Sequence, residues 1–322
     1  VNLALQGTWW ARDPDRSAIV LPDGEHHATL DTVSWLASAQ RAEVRPVPLD
    51  ESAAIDVAAF DAALPGAALA TALVANNEVG SVSDVAALAA SAAAADVPLH
   101  LDAVGAIAHL SLDFAALRGP GAGRGGLVAL SVAGHKVGAP VGTGGLVVSR
   151  HARMGAVLHG GGQQRGLRSG TPDVAGAAAL AVALELTAAE RAAVTERLRA
   201  LSDRLLTGVH GIAPEVTLLG APDRRLPGHL HLLFPDALGE TLLFLLDSAG
   251  VRVSTGSACQ AGVAEPSHVV LALGRTDREA RSVLRVTLGR TTTAADVDAF
   301  LAALPEAHRR AAASSARAGS RS

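Results

Sequence analysis

The sequence of 322 residues has very few of several reactive and aromatic residue types. It contains one cysteine, one methionine and no tyrosine, and aromatic residues make up 2% of the chain. A single cysteine excludes a disulfide within the chain and is typical of a reducing compartment, so we expect a cytoplasmic location. Gly, Pro or polar residues interrupt every long apolar run before it could span a bilayer, and no signal sequence is evident. The sequence therefore predicts no membrane association.

Neither sign of charge is in large excess, with 27 basic and 31 acidic residues. The formal net charge is −4, and no block of basic residues precedes the last residues of the chain. This distribution predicts no direct contact with nucleic acid. Hydrophobic residues make up 49% of the sequence, which is sufficient for one large α/β domain and a smaller one.

Apolar runs of strand length alternate with longer Ala- and Leu-rich segments of helical spacing in the first half of the chain. This alternation predicts a mostly parallel sheet with helices on both faces. Ligands bind such sheets at the carboxyl ends of the strands, and Asn76-Asn77, Asp102 and His135-Lys136 each follow a candidate strand. The candidate strands are residues 18–21, 43–47, 70–75, 99–101, 126–130 and 144–148, and the candidate helices are residues 29–40, 57–64 and 82–95.

A long helical pattern from residue 174 to about residue 208 predicts a connection to a second domain. We expect a large domain over residues 1–185 and a smaller α+β domain over residues 186–310. Residues 311–322 are only Ala, Ser, Arg and Gly, which predicts a disordered tail. In the second domain, the candidate strands are residues 216–219, 229–234 and 282–287, and the candidate helices are residues 238–248 and 294–304.

The chain begins at Val1 directly in sequence of helical character, without a capping residue or a methionine. We therefore expect that a segment precedes Val1 in the full protein.

The only lysine, Lys136, and the only cysteine, Cys259, each follow an apolar run and have small neighbours. Arginine has replaced lysine everywhere else, yet arginine cannot lose a proton and attack a carbonyl, as lysine can. Lys136 is therefore a candidate for a Schiff base with an aldehyde cofactor, which we interpret as pyridoxal phosphate; the alternative is a surface lysine. Cys259 is a candidate reactive thiol, whereas most single cysteines are buried and structural.

Two further residues fit a flat, charged cofactor. Asp102 ends an apolar strand and is a candidate partner for a protonated pyridine nitrogen; the alternative is a helix cap. His26 is a candidate for stacking on the ring and for proton transfer, because imidazole titrates near neutral pH. The alternative for His26 is a solvated turn.

Two segments indicate anion binding. The glycine-rich stretch from Gly160 to Pro172 precedes a helix, and backbone N–H groups at a helix start bind phosphate; Thr171 adds a hydroxyl donor. Arg285 lies within an apolar strand and is a candidate ligand for a substrate carboxylate. A structural ion pair is the alternative for Arg285.

Together these segments resemble a cysteine desulfurase, a member of aminotransferase class V among the fold-type I pyridoxal-phosphate enzymes. The similarity extends from Asn2 to about Leu304. The runs that carry it are Glu25-His26-His27, Ala75-Asn76-Asn77-Glu78-Val79-Gly80, Leu101-Asp102-Ala103-Val104, Gly134-His135-Lys136, Gly160–Pro172, Gly256-Ser257-Ala258-Cys259 and Leu284–Thr292.

The resemblance implies a large domain with a mostly parallel, seven-stranded type of sheet, a smaller α+β domain, and a homodimer. It implies pyridoxal 5'-phosphate as the cofactor and no metal. L-cysteine is then the substrate, and a sulfur-acceptor protein receives the sulfur, either an iron–sulfur scaffold or a tRNA thiolation enzyme.

By the same resemblance, each candidate residue has a role. Lys136 holds the cofactor and acts as acid and base, and Cys259 collects the sulfur as a persulfide while alanine is released. The other roles are pyridine nitrogen pairing for Asp102, ring stacking for His26, phosphate contacts for His135 and for Thr171 from the partner subunit, and substrate carboxylate binding for Asn77 and Arg285.

Three positions depart from the pattern of the family. Gly105 stands where the family has a glutamine that bonds the cofactor, Ala133 stands in place of a phosphate-binding serine, and Gln164 stands in place of a glutamate. Two alternatives therefore remain open: a related carbon–sulfur or carbon–selenium lyase without a persulfide, and a catalytically impaired fragment.

Overall fold

The structure, a computed structural model, describes residues 1–120, 123–256 and 265–319. These residues form two compact units. The first consists of residues 1–50, 54–76 and 83–191, and the second of residues 51–53, 77–82 and 192–322. No helix among the described residues has both the length and the apolar character needed to cross a membrane.

The first unit is built on a six-stranded sheet with the order β2-β1-β3-β4-β5-β6. The neighbours from β2 to β5 are parallel, whereas β6 is antiparallel to β5 because the connection between them is too short for a crossover helix. The strands are β1 (Ala18–Pro22), β2 (Glu43–Val47), β3 (Ala67–Leu73), β4 (Pro98–Asp102), β5 (Gly126–Ala133) and β6 (Gly144–Val148).

The mostly parallel sheet that the resemblance implies is confirmed, but among the described residues it has six strands and not seven. Each of the six strands overlaps a segment that the sequence predicts as a strand, although β2 is largely exposed and contains Glu43 and Arg45. All seven residues of β3 are buried, which shows that both faces of the sheet are covered.

Helices cover this sheet. Leu5, Trp9, Val33 and Leu36 of the first two helices form an apolar cluster with Ile19 of β1. Asp84 caps the fourth helix by accepting a hydrogen bond from the N–H of Ala87 at 3.0 Å, so that helix begins three residues later than its periodicity predicts. The helices are α1 (Asn2–Trp10), α2 (His27–Gln40), α3 (Val57–Ala63), α4 (Val85–Ala94) and α5 (Phe114–Arg118).

The second unit has an antiparallel three-stranded sheet with the order β7-β8-β9. Its apolar core includes Leu205, Leu230, Phe234, Leu246 and Phe300. Its strands are β7 (Thr217–Leu219), β8 (His229–Leu233) and β9 (Val283–Thr287), and the remaining helices of the chain are α6 (Val174–Ile212), α7 (Gly239–Ser248), α8 (His268–Ala272), α9 (Asp277–Arg281) and α10 (Ala294–Gly319).

The last helix differs from the sequence prediction. Residues 311–319, for which the composition predicted a disordered tail, continue α10. The reason is that alanine and arginine favour a helix that has already begun, and Ala307 and Ala311 are buried in the core of the unit.

The unit boundary also differs in detail from the predicted one. It falls after Arg191 within α6, whereas the sequence put it after residue 185. Residues 77–82 belong to the second unit because their backbone is bonded there: the N–H of Val82 donates to Arg224 at 2.9 Å, and the N–H of Leu226 donates to Gly80 at 2.8 Å.

Candidate functional site

Three predicted site residues of the first unit lie at the same edge of its sheet. His26 follows β1, Asp102 is the last residue of β4, and Lys136 lies in a 3-10 turn directly after β5. Because β1, β3, β4 and β5 are parallel and adjacent, their carboxyl ends meet at one edge, which is where ligands bind to such sheets.

Lys136 is exposed on its turn, as is His135. The turn depends on Gly134: a Cβ at that residue would lie 2.1 Å from Oγ1 of Thr143 and 3.0 Å from Cβ of Ala139. The N–H of Gly134 donates to the carbonyl oxygen of Thr143 at 2.9 Å. Only glycine fits this contact, so the residue before His135-Lys136 is determined by packing.

Asp102 is buried, with 3% of its surface exposed. Its Oδ1 accepts a hydrogen bond from the N–H of Val104 at 2.9 Å. Burial raises the pKa of Asp102 above its ordinary value, because a charged carboxylate is poorly solvated there. Asp102 has no basic partner within ion-pair distance among the residues that the structure describes, so it is a buried acid that can receive a cation.

His26 caps α2. Its Nδ1 accepts a hydrogen bond from the N–H of Ala28 at 3.1 Å, so the imidazole ring has a defined orientation rather than being a freely solvated turn residue. The ring of His27 lies edge-on to it, with 6.4 Å between the ring centroids.

Glu25 is a site residue that sequence reasoning named only as part of a motif. It is 1% exposed, and its Oε1 accepts a hydrogen bond from the N–H of Leu73 at 2.6 Å. Burial, together with the nearby charge of Asp102, raises the pKa of Glu25 to about 8. At neutral pH this acid therefore holds a proton, and Asp102 does not face a second full negative charge.

A buried histidine connects three strands below this edge, and the sequence analysis missed it. His100 of β4 bonds through Nδ1 to Oγ1 of Thr71 at 3.0 Å and through Nε2 to Oγ of Ser131 at 2.7 Å. Burial lowers the pKa of His100 to about 3, so its ring is neutral. The alternation of apolar and polar residues in β4 is the only signal that the sequence offers for it.

The neutral state of His100 predicts that the protein loses stability in acid. The unfolded chain protonates this ring below its ordinary pKa of 6.5, whereas the folded chain keeps it neutral down to about 3. Between these values the unfolded state binds more protons, so stability decreases as the pH falls. The quantity to compare is the free energy of unfolding of the native chain minus that of a His100→Gln variant. We expect this difference to be about 2 kcal/mol smaller at pH 5 than at pH 7. Urea unfolding at both pH values measures this, and a difference that does not depend on pH contradicts it.

The glycine-rich loop is closed by its own hydrogen bonds. The N–H of Gly162 donates to Oγ of Ser169 at 3.2 Å, and the N–H of Gly170 donates to Oε1 of Gln163 at 3.1 Å. Thr171 follows the loop and is exposed, three residues before α6. Gln164, one of the departures, is exposed as well.

The packing around Gly105, one of the three departures from the family pattern, has room for a Cβ. A Cβ at this residue would meet only the carbonyl oxygen of Ala75, at an ordinary 3.7 Å. A Cβ therefore fits at residue 105, so close packing does not require glycine there.

Two predicted substrate ligands come together in the second unit. Nη1 of Arg285 donates to the carbonyl oxygen of Asn77 at 3.0 Å, and Nη2 donates to Oγ of Ser254 at 3.3 Å. Within the described ranges, no carboxylate lies within ion-pair distance of Arg285, so the structural ion pair is not its role. Oδ1 of Asn77 is buried and has no partner among these residues, so it is a free acceptor.

Cys259 lies outside the residues that the structure describes, which end at Gly256 and resume at Glu265. Its role therefore stays a prediction from the sequence.

One other cluster of the second unit consists of residue types that serve as metal ligands in proteins. Ligand atoms of Glu215, Asp236 and His308 lie within 4.8 Å of one another. Nε2 of His308 bonds to Oδ1 of Asp236 at 2.9 Å and is 3.5 Å from Oε1 of Glu215. These contacts connect α10 to the segments that flank the sheet, and we assign them this structural role.

Comparison with known proteins identifies similar sequences and folds. The family model described as aminotransferase class-V matches residues 1–300. An IscS-like cysteine desulfurase of Mycobacterium tuberculosis is 44% identical over 317 residues, which cover 96% of this chain and 79% of that protein. A solved structure of a NifS-like protein has a TM-score of 0.85 and 27% identity, covering 95% of this chain and 78% of that one. Another, described as SspA in complex with cysteine, has a TM-score of 0.73 and 27% identity, covering 91% and 79%.

Proposed function

Because this chain belongs to the aminotransferase class V family and, within it, to the cysteine desulfurases, we propose that it removes sulfur from L-cysteine and holds that sulfur as a persulfide on Cys259. The observation that carries the proposal is the sheet edge of the first unit, where the only lysine follows β5 and the buried carboxyl of Asp102 ends β4 without an ion-pair partner among the described residues.

The residues of the first unit fit pyridoxal 5'-phosphate, on which members of this family generally depend. Among the described residues Asp102 is buried without an ion-pair partner, and a protonated pyridine nitrogen is a cation that such a site accepts. When bound, the cofactor supplies an aldehyde that captures amines and a ring that accepts electron density. Lys136 Nζ would hold the cofactor through its aldehyde, and we propose phosphate contacts for His135 and for Thr171 of a partner subunit.

The next roles concern the cofactor ring and the substrate. With the cofactor bound, Asp102 would face its pyridine nitrogen and favour the protonated form, His26 would stack on its ring, and Lys136 Nζ would move a proton at the substrate Cα. In the second unit, the guanidinium of Arg285 binds the substrate carboxylate, and Asn77 contributes an amide. No carboxylate of the described residues competes for that guanidinium, which supports this role.

The sulfur step is a displacement at the substrate sulfur. Cys259 as thiolate forms a bond to that sulfur while the bond between sulfur and Cβ breaks, and the electron pair of the broken bond stays with the carbon skeleton. After proton transfer, one L-cysteine and one thiol have become one L-alanine and one persulfide. No external oxidant or reductant is needed.

We further propose that the protein acts as a cytoplasmic homodimer and passes its sulfur to an acceptor protein, either an iron–sulfur scaffold or a tRNA thiolation enzyme. A dimer is supported by the apolar side chains that α6 exposes in the first unit: Val174 is 74% exposed, and Val182 and Leu186 are each 55% exposed.

A single-turnover experiment tests the function. Purified chain is loaded with pyridoxal phosphate, its absorbance is recorded, and L-cysteine is added without an acceptor. We expect about one alanine and one protein persulfide per site. Release of sulfide without persulfide supports the lyase alternative, and the absence of any cofactor absorbance supports an impaired fragment.

Replacing Asp102 by asparagine is expected to weaken cofactor binding by about 10- to 100-fold, because a charge-assisted hydrogen bond contributes roughly 1.5–3 kcal/mol. Absorbance titration with pyridoxal phosphate measures the affinity. Asp113→Asn is the matched control, since Asp113 accepts the same kind of bond from the N–H two residues later, at 2.8 Å, at an exposed helix start. Equal affinities of both variants and the native chain contradict the role of Asp102.

A further inference from the structure

Glu78 of the second unit is a buried carboxylate that the proposed reaction does not use. It directly follows Asn77 and is 2% exposed. A buried carboxylate lowers stability unless hydrogen bonds or charges compensate its lost hydration. The contacts of Glu78 therefore indicate what it is retained for.

The carboxylate of Glu78 contacts the beginning of α8. Oγ of Ser267 donates a hydrogen bond to Oε2 of Glu78 at 2.5 Å. The same Oγ accepts a bond from the N–H of Val270 at 3.2 Å and thereby caps α8. Nδ1 of His268 is 3.9 Å from Oε1 of Glu78. Glu78 thus fixes the first residues of this helix.

The same carboxylate contacts Gly256. A Cβ on Gly256 would lie 2.5 Å from Oε2 of Glu78 and 2.8 Å from Cβ of Ser267. Gly256 and Ser267 therefore pack around one oxygen atom, although ten residues separate them along the chain. Those ten residues include Cys259, so two described residues that flank the thiol along the chain both pack against Glu78.

The backbone around Glu78 is hydrogen-bonded to the sheet of the second unit. Its carbonyl oxygen bonds to Nδ1 of His231 on β8 at 3.0 Å. The neighbouring carbonyl oxygen, that of Asn77, accepts from Arg285 on β9 at 3.0 Å. The carboxylate is consequently attached to the sheet that also carries the proposed substrate ligand Arg285.

We propose that Glu78 is a positioning residue for the reaction of Cys259. It holds Gly256 and Ser267, the described residues that flank Cys259 along the chain and contact its carboxylate, next to the sheet of the second unit. The proposal rests on the proposed function, because the reaction concerned is the transfer of sulfur from L-cysteine to Cys259. Cofactor binding, which we assign to residues of the first unit, does not depend on Glu78.

Two variants disrupt the packing of the Glu78 carboxylate against Gly256. Glu78→Ala removes the carboxylate, and Gly256→Ala displaces it by adding a methyl group. For both, we expect the rate of persulfide formation in a single turnover to fall about tenfold or more while cofactor absorbance is unchanged. Glu78→Gln keeps the shape and one acceptor for Ser267, so an intermediate rate is expected.

Two controls match the chemistry of these changes in the same unit. Gly211→Ala adds a methyl group that meets no heavy atom within 4 Å beyond its chain neighbours and its own helix backbone. Thr276→Ala removes a helix cap that does not involve Glu78. Both are expected to form persulfide at the native rate. An equal loss in the controls, or a native rate in Glu78→Ala and Gly256→Ala, overturns the proposal.

A second readout needs neither cofactor nor substrate. Because Cys259 is the only cysteine, the rate of its alkylation by iodoacetamide in the unloaded chain reports on this segment alone. We expect that rate to change at least about threefold in Gly256→Ala and Glu78→Ala but not in the controls. Unchanged alkylation in folded variants overturns the proposal. If the native chain forms no persulfide, the proposed function fails, and alkylation still tests Glu78.

Discussion

Replacing Lys136 by alanine is expected to slow alanine formation from L-cysteine by about 1000-fold or more. Two contributions are lost together: the amine that captures the cofactor aldehyde, and the acid–base group at the substrate Cα, for which factors of about 10²–10⁴ are typical. Single-turnover alanine formation measures the change.

The result of this test can be assigned to one side chain, because Lys136 is the only lysine in the sequence. Borohydride reduction of the loaded native chain should attach pyridoxal phosphate at one residue, and Lys136→Ala should retain none after dialysis. Lys136→Arg keeps the charge but not the nucleophile, so it should behave like alanine. An arginine variant with native turnover contradicts the role of Lys136.

Replacing Cys259 by serine is expected to abolish persulfide formation and to lower alanine formation at least about 100-fold. Serine keeps the size of the side chain but does not form a bond to sulfur under these conditions. Mass spectrometry of the intact chain after a single turnover detects the added sulfur, which should appear on the native chain alone.

The cofactor absorbance of Cys259→Ser is the internal control, and it should equal that of the native chain. Loss of the persulfide and of turnover at unchanged absorbance separates the desulfurase from a lyase that uses the same cofactor. A Cys259→Ser variant that still releases sulfide at the native rate excludes the persulfide route and favours the lyase.

Much of the first unit could be predicted from the sequence because its signals are local. Each of the six strands overlaps a segment predicted as a strand, and the alternation of these segments with helical spacing implies parallel pairing. Parallel pairing in turn brings Asp102 and the segment of Lys136 to one edge. Gly134 is also a local requirement, since packing against Thr143 excludes a Cβ.

The errors have physical causes as well. The seventh strand was taken from the resemblance and not from an apolar run. The tail was predicted from composition, yet Ala311 is fully buried, so tertiary packing continues α10 where composition suggested disorder.

The sequence by itself determined the chemistry that the protein has available: one amine, one thiol, and an acid at the end of an apolar strand. Only the tertiary structure decided the states and partners of the buried polar groups. Leu73 is 48 residues from Glu25, and Ser267 is 189 residues from Glu78. Protonation and hydrogen bonding at such residues depend on burial and on contacts between distant parts of the chain, and no local pattern encodes either.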